Sequence, residues 1–271
     1  MHFNTKELQL QYKGFIDTFF LKKTTLIKPI KKTDYHYIYI NLSKVKVDYK
    51  IRLGKLVELF VFNQLNCSND IELIAENIQI QDDKITLGEL DCLFLLNQKP
   101  IHMEIVYKFY LYDASVSNSE TKCWIGPNRK DSLFEKLTNL NEKQFPILYH
   151  EKTLSLLDNL QLNRDEIQQE LYFKAQLFLH LNEKKERFEY INEECIEGFY
   201  IYKNELILFE NCKFFLPTKH NWLVKPHTNV SWLNFTEFNK ELMIYMDRKH
   251  SPMCWLKKPN GELVKFFVVW W

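Results

Sequence analysis

Between Arg52 and Leu140 the period of the apolar residues switches twice, and those switches leave few folds open. Arg52 to Leu65, RLGKLVELFVFNQL, places Leu53, Leu56, Val57, Phe60 and Val61 on one stripe at helical spacing, and the CSND that follows is a stop signal. Ile71 to Gln81 and Glu89 to Leu96 then read as strands, Asn97 to Pro100 as a turn, and Ile101 to Tyr112 as a further strand. After a polar stretch from Val116 to Asn128 that ends in WIGPN, Arg129 to Leu140 resumes helical spacing. Leu133, Phe134, Leu137 and Leu140 are its apolar face, which is expected to pack on the preceding sheet. Helix, strands and helix in that order predict an α/β chain.

The rest of the chain extends this pattern. Residues 5 to 21 predict an N-terminal helix and Tyr35 to Ile40 a short strand. Residues 151 to 160 and 164 to 181 read as helices, the second with Ile167, Leu171, Ala175 and Phe178 on one stripe. From about residue 197 the segments GFYIYKNELILF and CKFFL are strand-like. Thr236 to Arg248 is a short helix expected to be capped by Thr236 with Asn239 in the third position, and Met253 to Lys257 and Leu263 to Trp271 are strand-like. A charge-rich stretch from Glu183 to Glu193 marks a soft boundary. It divides an α/β core with a basic N-terminal segment, 1–185, from a smaller, aromatic, strand-rich C-terminal section, 186–271, packed on that core.

At 271 residues the chain buries a substantial core without staples. Its six cysteines (Cys67, Cys92, Cys123, Cys195, Cys212, Cys254) stand singly, without a CxxC pair, and read as buried thiols. No basic-then-apolar leader opens the sequence, and no apolar run approaches the roughly 20 residues that span a bilayer, so a cytoplasmic protein with no membrane partner is expected. Oligomeric state is not readable.

Several function classes fall away. Only 6 glycines accompany 21 Phe and 14 Tyr, and neither GxxxxGK nor GxGxxG occurs, so phosphate-cradling glycine loops are absent. The eight histidines include no HExxH or paired spacing, and His102 reads as a strand residue rather than a ligand. There is no GxSxG and no cysteine with a persuasive histidine partner. The net charge of +1 exerts no global pull on a polyanion. Locally, Lys22 to Lys55 holds ten cations against Asp34 and Asp48, which reads either as a solvated face or as a phosphate-contact surface. Trp222, Trp232, Trp255, Trp270 and Trp271 read as packing residues before base-stacking ones, and the terminal FFVVWW as a buried strand or a partner-binding edge.

One constellation carries chemistry. Glu58 lies on the Arg52–Leu65 helix, GELD (Gly88 to Asp91) opens one strand, and HMEIVYK (His102 to Lys108) fills the next. Alternate strand residues share a face, so Glu89 and Asp91 point together, as do Glu104, Val106 and Lys108. The turn at Asn97 to Pro100 brings Asp91 opposite Glu104 or one step diagonal, near enough for both to hold one hard cation. Such an oxygen site suits Mg²⁺ or Mn²⁺ and leaves positions for water and a phosphate. Lys108 would neutralise charge on the phosphorus or orient the attacking water, and Glu58 would bind a second ion or hold a ligand water. Taken singly, Glu89 and Asp91 could cap a strand edge, Glu104 could pair with Lys108, and Glu58 could face solvent. Their recurrence in order favours a site. Beyond it, Trp124, Asn128, Arg129, Lys130, Asp131 and Lys136 surround a loop-to-helix junction where cations favour phosphate. Asn128, Arg129, Lys130 and Lys136 are the candidate substrate contacts, unless WIGPN is only a turn with Trp124 packed beneath it.

The helical Glu, the GELD and the strand with Glu and Lys resemble the PD-(D/E)XK (restriction-endonuclease-like) nuclease superfamily over about a third of the chain. More closely, RLGKLVELF, LGELD, the Glu-to-Lys strand and WIGPN followed by RKDSLFEKL resemble an uncharacterised bacterial domain-of-unknown-function family assigned to that superfamily, through most of the sequence. The resemblance implies a mixed central sheet flanked by helices, Asp91 and Glu104 as metal ligands, Glu58 as the helical acid, and metal-dependent phosphodiester hydrolysis on nucleic acid, DNA before RNA. The sequence departs from the superfamily where Val106 stands two residues after Glu104. The nearest same-face lysine is Lys108, whose long side chain would have to reach back. The displaced lysine leaves a second expectation open, a catalytically silent module that binds nucleic acid or a protein partner. An interaction scaffold without a nucleic-acid role is a third.

Overall fold

The computed structural model describes residues 5–21, 40, 42, 45, 47, 48, 50–185 and 187–271. Along the chain these form α1 (Thr5–Asp17), α2 (Leu53–Asn66), β1 (Ile71–Asp82), β2 (Ile85–Leu96), β3 (Lys99–Tyr112), α3 (Glu120–Cys123), β4 (Trp124–Ile125), α4 (Leu133–Asn139), α5 (Glu151–Asn159), β5 (Gln168–His180), β6 (Ile196–Tyr202), β7 (Lys213–Phe215), α6 (Phe235–Asp247), β8 (Met253–Lys257) and β9 (Leu263–Val269). The protein is α/β with a large mixed sheet and helices. No helix among the described residues is long and apolar enough to cross a membrane. The strand expected at Tyr35 to Ile40 and most of the basic stretch from Lys22 lie outside the described residues.

Two compact units divide the described residues. One draws on the described residues from 40 to 107 and on 135–174, the other on 5–21, 108–134 and the described residues from 175 to 271, with β3, α4 and β5 running from one into the other.

In the first unit β1, β2 and β3 form an antiparallel meander. Two-residue loops join them, and at the second, Asn97 and Gln98 both have positive φ (48° and 66°), the backbone that matches the twist of paired strands. Ile80, Leu90, Leu93, Ile147, Leu148, Leu157 and Ile167 close a core between the meander and the helical segment from 146 to 159.

The second unit is the mixed part. β5, β6 and β9 pair in parallel, while β8 and β7 add antiparallel to β9. Its core includes Leu206, Phe214, Phe238, Leu242, Cys254, Leu256 and Phe266, with the Phe214 and Phe238 rings stacked 4.3 Å apart. Gly198 lets β6 approach β9, since a Cβ there would lie 2.0 Å from the Lys265 carbonyl oxygen.

Four readings need correction. Residues 164 to 181, expected as a helix, contain the strand β5. Its residues are buried on both faces, so the apolar run does not alternate, and Leu171, Ala175 and Phe178 fall at helical spacing by chance. Lys203 to Phe209, expected to extend β6, is a 3₁₀ turn started when the Glu205 carboxylate accepts the Tyr202 N–H at 2.8 Å. The cap of α6 is Asn234, paired reciprocally with Glu237, rather than Thr236 with Asn239. Cys67 is exposed and Cys212 half-buried, so only Cys92, Cys123, Cys195 and Cys254 are buried thiols. The terminal apolar run forms β9, an inner strand between β6 and β8, while Trp222 and Trp255 are core residues.

Candidate functional site

The backbone around Asp91 departs from ladder geometry on both sides. Between β2 and β3 the register runs from Leu96↔Lys99 down to Cys92↔Met103, and the next pair by count is Asp91 with Glu104. There the side chains take over. Asp91 Oδ2 accepts the Ile105 backbone N–H at 2.8 Å. On the β1 side, Glu76↔Cys92 and Ile78↔Leu90 straddle Asp91, and Asn77 between them adopts a left-handed φ of 54°. A non-glycine residue in that region within a strand is uncommon.

The acids brought together this way are buried. Asp91 and Glu58 are each 8% exposed and Glu104 is 0% exposed. Burial, acting first, raises the Glu58 carboxyl to about 7; Lys55 opposes the rise and Asp91 adds to it. It raises Asp91 to about 6, reinforced by Glu104. It raises Glu104 to about 7, opposed by Lys136 and reinforced by Glu89 and Glu58. Desolvated carboxyls that repel one another are stabilised by a proton or a cation.

Glu104 is held from several directions. His102, fully buried on the same strand face, lies with Nε2 3.0 Å from Glu104 Oε1, and Gln144 Nε2 donates to Glu104 Oε2 at 2.7 Å. Gln169 Nε2 lies 3.1 Å from His102 Nδ1 and donates to the Phe145 carbonyl at 2.8 Å. An amide nitrogen can only donate, so Nδ1 is the acceptor and His102 carries its proton on Nε2, directed at Glu104. Burial lowers the His102 pKa to about 4, which keeps the ring neutral. Gln144 ends a π-helical turn, Leu140–Gln144, that continues α4, and its Oε1 accepts from Lys136 Nζ at 2.6 Å. Lys136 thus connects to Glu104 through one amide and lowers the pKa of both Glu104 and Asp91. Glu58 Oε2 lies 2.7 Å from Lys55 Nζ, and Lys55 also meets Glu89 Oε1 at 2.5 Å.

The other expected site residues are placed differently. Lys108 Nζ pairs with Asp131 at 2.6 Å in the second unit. In the same unit, Asn128 Oδ1 accepts the Ser251 N–H at 2.8 Å and its Nδ2 lies 3.2 Å from His250 Nδ1. Arg129 pairs with Asp113 and stacks on the Trp271 ring at 4.0 Å, and Lys130 is exposed. Trp124 is fully buried, and Gly126 N–H bonds to the Asp131 carbonyl at 2.7 Å, so WIGPN is a turn over a packed tryptophan. Lys136 alone of the four candidate substrate contacts is electrostatically coupled to the acids. Sequence reasoning passed over Gln144 and Gln169, counted Lys55 only within the basic stretch from Lys22, and set His102 aside as a ligand. Two of these carried a signal, His102 two residues before Glu104 on one strand face and Lys55 three residues before Glu58 on one helix face.

Among the described residues no three His, Cys, Asp or Glu side chains converge as a ready-made metal cage. Mg²⁺ does not demand one. It dehydrates reluctantly and is commonly held by one or two carboxylates, with waters and substrate phosphate completing the octahedron. Buried, mutually repelling Asp91 and Glu104 fit that donor set, and Mn²⁺ accepts the same hard oxygens.

Residues 24–269 match the model of a family described as a domain of unknown function, DUF1853. The chain belongs to that family. No curated protein and no solved structure matches it.

Proposed function

We propose that this chain is a metal-dependent nuclease that hydrolyses phosphodiester bonds in DNA through a divergent PD-(D/E)XK-type site, with Asp91 and Glu104 as the ligands of Mg²⁺ or Mn²⁺. The observation that carries the reading is the end of the β2–β3 ladder at Cys92↔Met103, beyond which Asp91 and Glu104 present buried carboxyls from adjacent strands and Asp91 accepts the Ile105 N–H. A bound ion would polarise the scissile phosphate and lower the pKa of a coordinated water. The chain's own groups prepare for this. His102 and Gln144 fix both oxygens of Glu104 in one orientation, so its remaining lone pairs have a defined direction. Lys136, anchored on Gln144, is the cation beside the acids and takes the charge-neutralising role first expected of Lys108. Glu58, neutralised by Lys55, supports the ligand pair. The assignment to this superfamily, and DNA as substrate, rest on the sequence resemblance.

A second reading, a silent nuclease-like module that binds nucleic acid or a protein partner, draws on Lys108 being engaged by Asp131 and on the lack of a three-residue ligand set among the described residues. A Mn²⁺-dependent cleavage panel of linear, branched and single-stranded DNA, with Asp91→Ala and Glu104→Ala beside the native protein, separates the two. The nuclease reading expects cutting that needs both carboxylates. Cutting that survives either substitution, or none in the native protein while DNA is retained, refutes it.

A further inference from the structure

The Lys55 ammonium is surrounded by oxygens from three separate elements of the first unit. Nζ lies 2.7 Å from Glu58 Oε2 on its own helix α2, 2.5 Å from Glu89 Oε1 on β2, and 2.7 Å from Asn77 Oδ1 on β1. Two features set this group of oxygens apart. Glu58 is more than nine-tenths buried, and its Oε2 makes no hydrogen bond beyond the ion pair with Lys55. Asn77, whose φ of 54° is left-handed, contributes its amide oxygen from within β1. Carboxylate oxygens and an amide carbonyl in one ring are the donor types that hard divalent ions take, here at ammonium distances rather than the roughly 2.1 Å of Mg–O contacts.

We infer that Lys55 is a built-in cation occupying the place of a second metal ion between Glu58 and Glu89, so that the site takes a single divalent ion and removal of the Lys55 side chain opens a second ion site on Glu58, Glu89 and Asn77. Sites that cleave phosphodiesters with two ions set them roughly 4 Å apart to stabilise both the attacking and the leaving oxygen. An ammonium fixed by its own helix supplies positive charge at one of those places without depending on ion concentration. Part of this inference, the single ion at Asp91 and Glu104, rests on the function proposed above. The cation pocket at Glu58 and Glu89 does not.

Mn²⁺ titration followed by calorimetry and by the loss of free-ion electron paramagnetic resonance signal reads the stoichiometry directly. The native protein and Lys55→Arg are expected to bind a single ion, and Lys55→Ala one more, with Lys55→Ala combined with Glu89→Gln returning to the native count. Lys55→Met, which keeps an aliphatic side chain over the helix, covers the case in which the alanine variant does not fold. An unchanged count in the folded Lys55 variants overturns the inference and leaves the nuclease reading standing, as does a native protein that already binds two ions. No binding by the native protein but a single ion in Lys55→Ala supports the pocket and removes Asp91 and Glu104 as an ion site. No binding by either removes both.

Discussion

Replacing Glu104 with glutamine tests the electrostatic account at its most buried point. Glu104 is fully buried, and its carboxyl is raised from an ordinary 4.5 to about 7. A folded-state pKa above the unfolded one means that the folded protein holds the proton more tightly. The stability this contributes is fully present below about 4.5 and is lost as pH rises through 7. One pKa unit corresponds to about 1.4 kcal/mol, so the displacement amounts to about 3 kcal/mol, of which about 2 kcal/mol falls between about pH 5 and about pH 8. Glu104→Gln removes this dependence and relieves Asp91 of a repelling neighbour. The amide also faces the Gln144 amide nitrogen awkwardly, a cost that does not vary with pH and cancels when the variant is compared with itself across pH. Urea unfolding in chelator at the two pH values is expected to show the variant gaining about 2 kcal/mol on the native protein at the higher pH. Mg²⁺ or Mn²⁺ at about ten times its dissociation constant then restores about 1.4 kcal/mol to the native protein at about pH 8 and little to Glu104→Gln. A difference between the two proteins that is the same at both pH values refutes the reasoning, because the carboxyl would then not be desolvated in the folded state.

Two further outcomes test the surrounding groups. Gln169→Leu leaves the buried His102 Nδ1 and the Phe145 carbonyl without the amide that serves both, and is expected to cost about 1–3 kcal/mol in denaturant unfolding. Long-range ¹⁵N spectra should show neutral His102 as a single Nε2–H tautomer in the native protein and as a mixture in the variant; a mixture in both disproves the assigned tautomer. Lys136→Met is expected to lower Mn²⁺-dependent cleavage about a hundredfold or more, by loss of transition-state charge stabilisation, and Lys108→Met far less. The reverse order would return the role to Lys108.

The order of elements from Arg52 to Tyr112 was legible because each carries an unambiguous period: an apolar stripe for α2, strands on either side of a short turn for β2 and β3. That same counting brought Asp91 opposite Glu104, since a turn of known length in an antiparallel pair sets the register. The membership in an uncharacterised family was legible too, from RLGKLVELF through RKDSLFEKL. Local pattern fails where burial removes it. β5 is covered on both faces, so nothing in QQELYFKAQLFLH alternates, and only its pairing partners make it a strand. The surroundings of the acids were beyond reach for a related reason. Gln144 meets Glu104 across 40 residues and Gln169 meets His102 across 67, while Lys136 reaches Glu104 through Gln144, and no short-range period records a contact made by a π-helical turn. Residue identity and spacing decided which carboxyls stand on facing strands. Tertiary packing alone decided that they are desolvated, that Lys108 is engaged by Asp131, and that Lys136 and Lys55 are the cations beside them, because desolvation and charge pairing depend on what the rest of the chain lays over a strand.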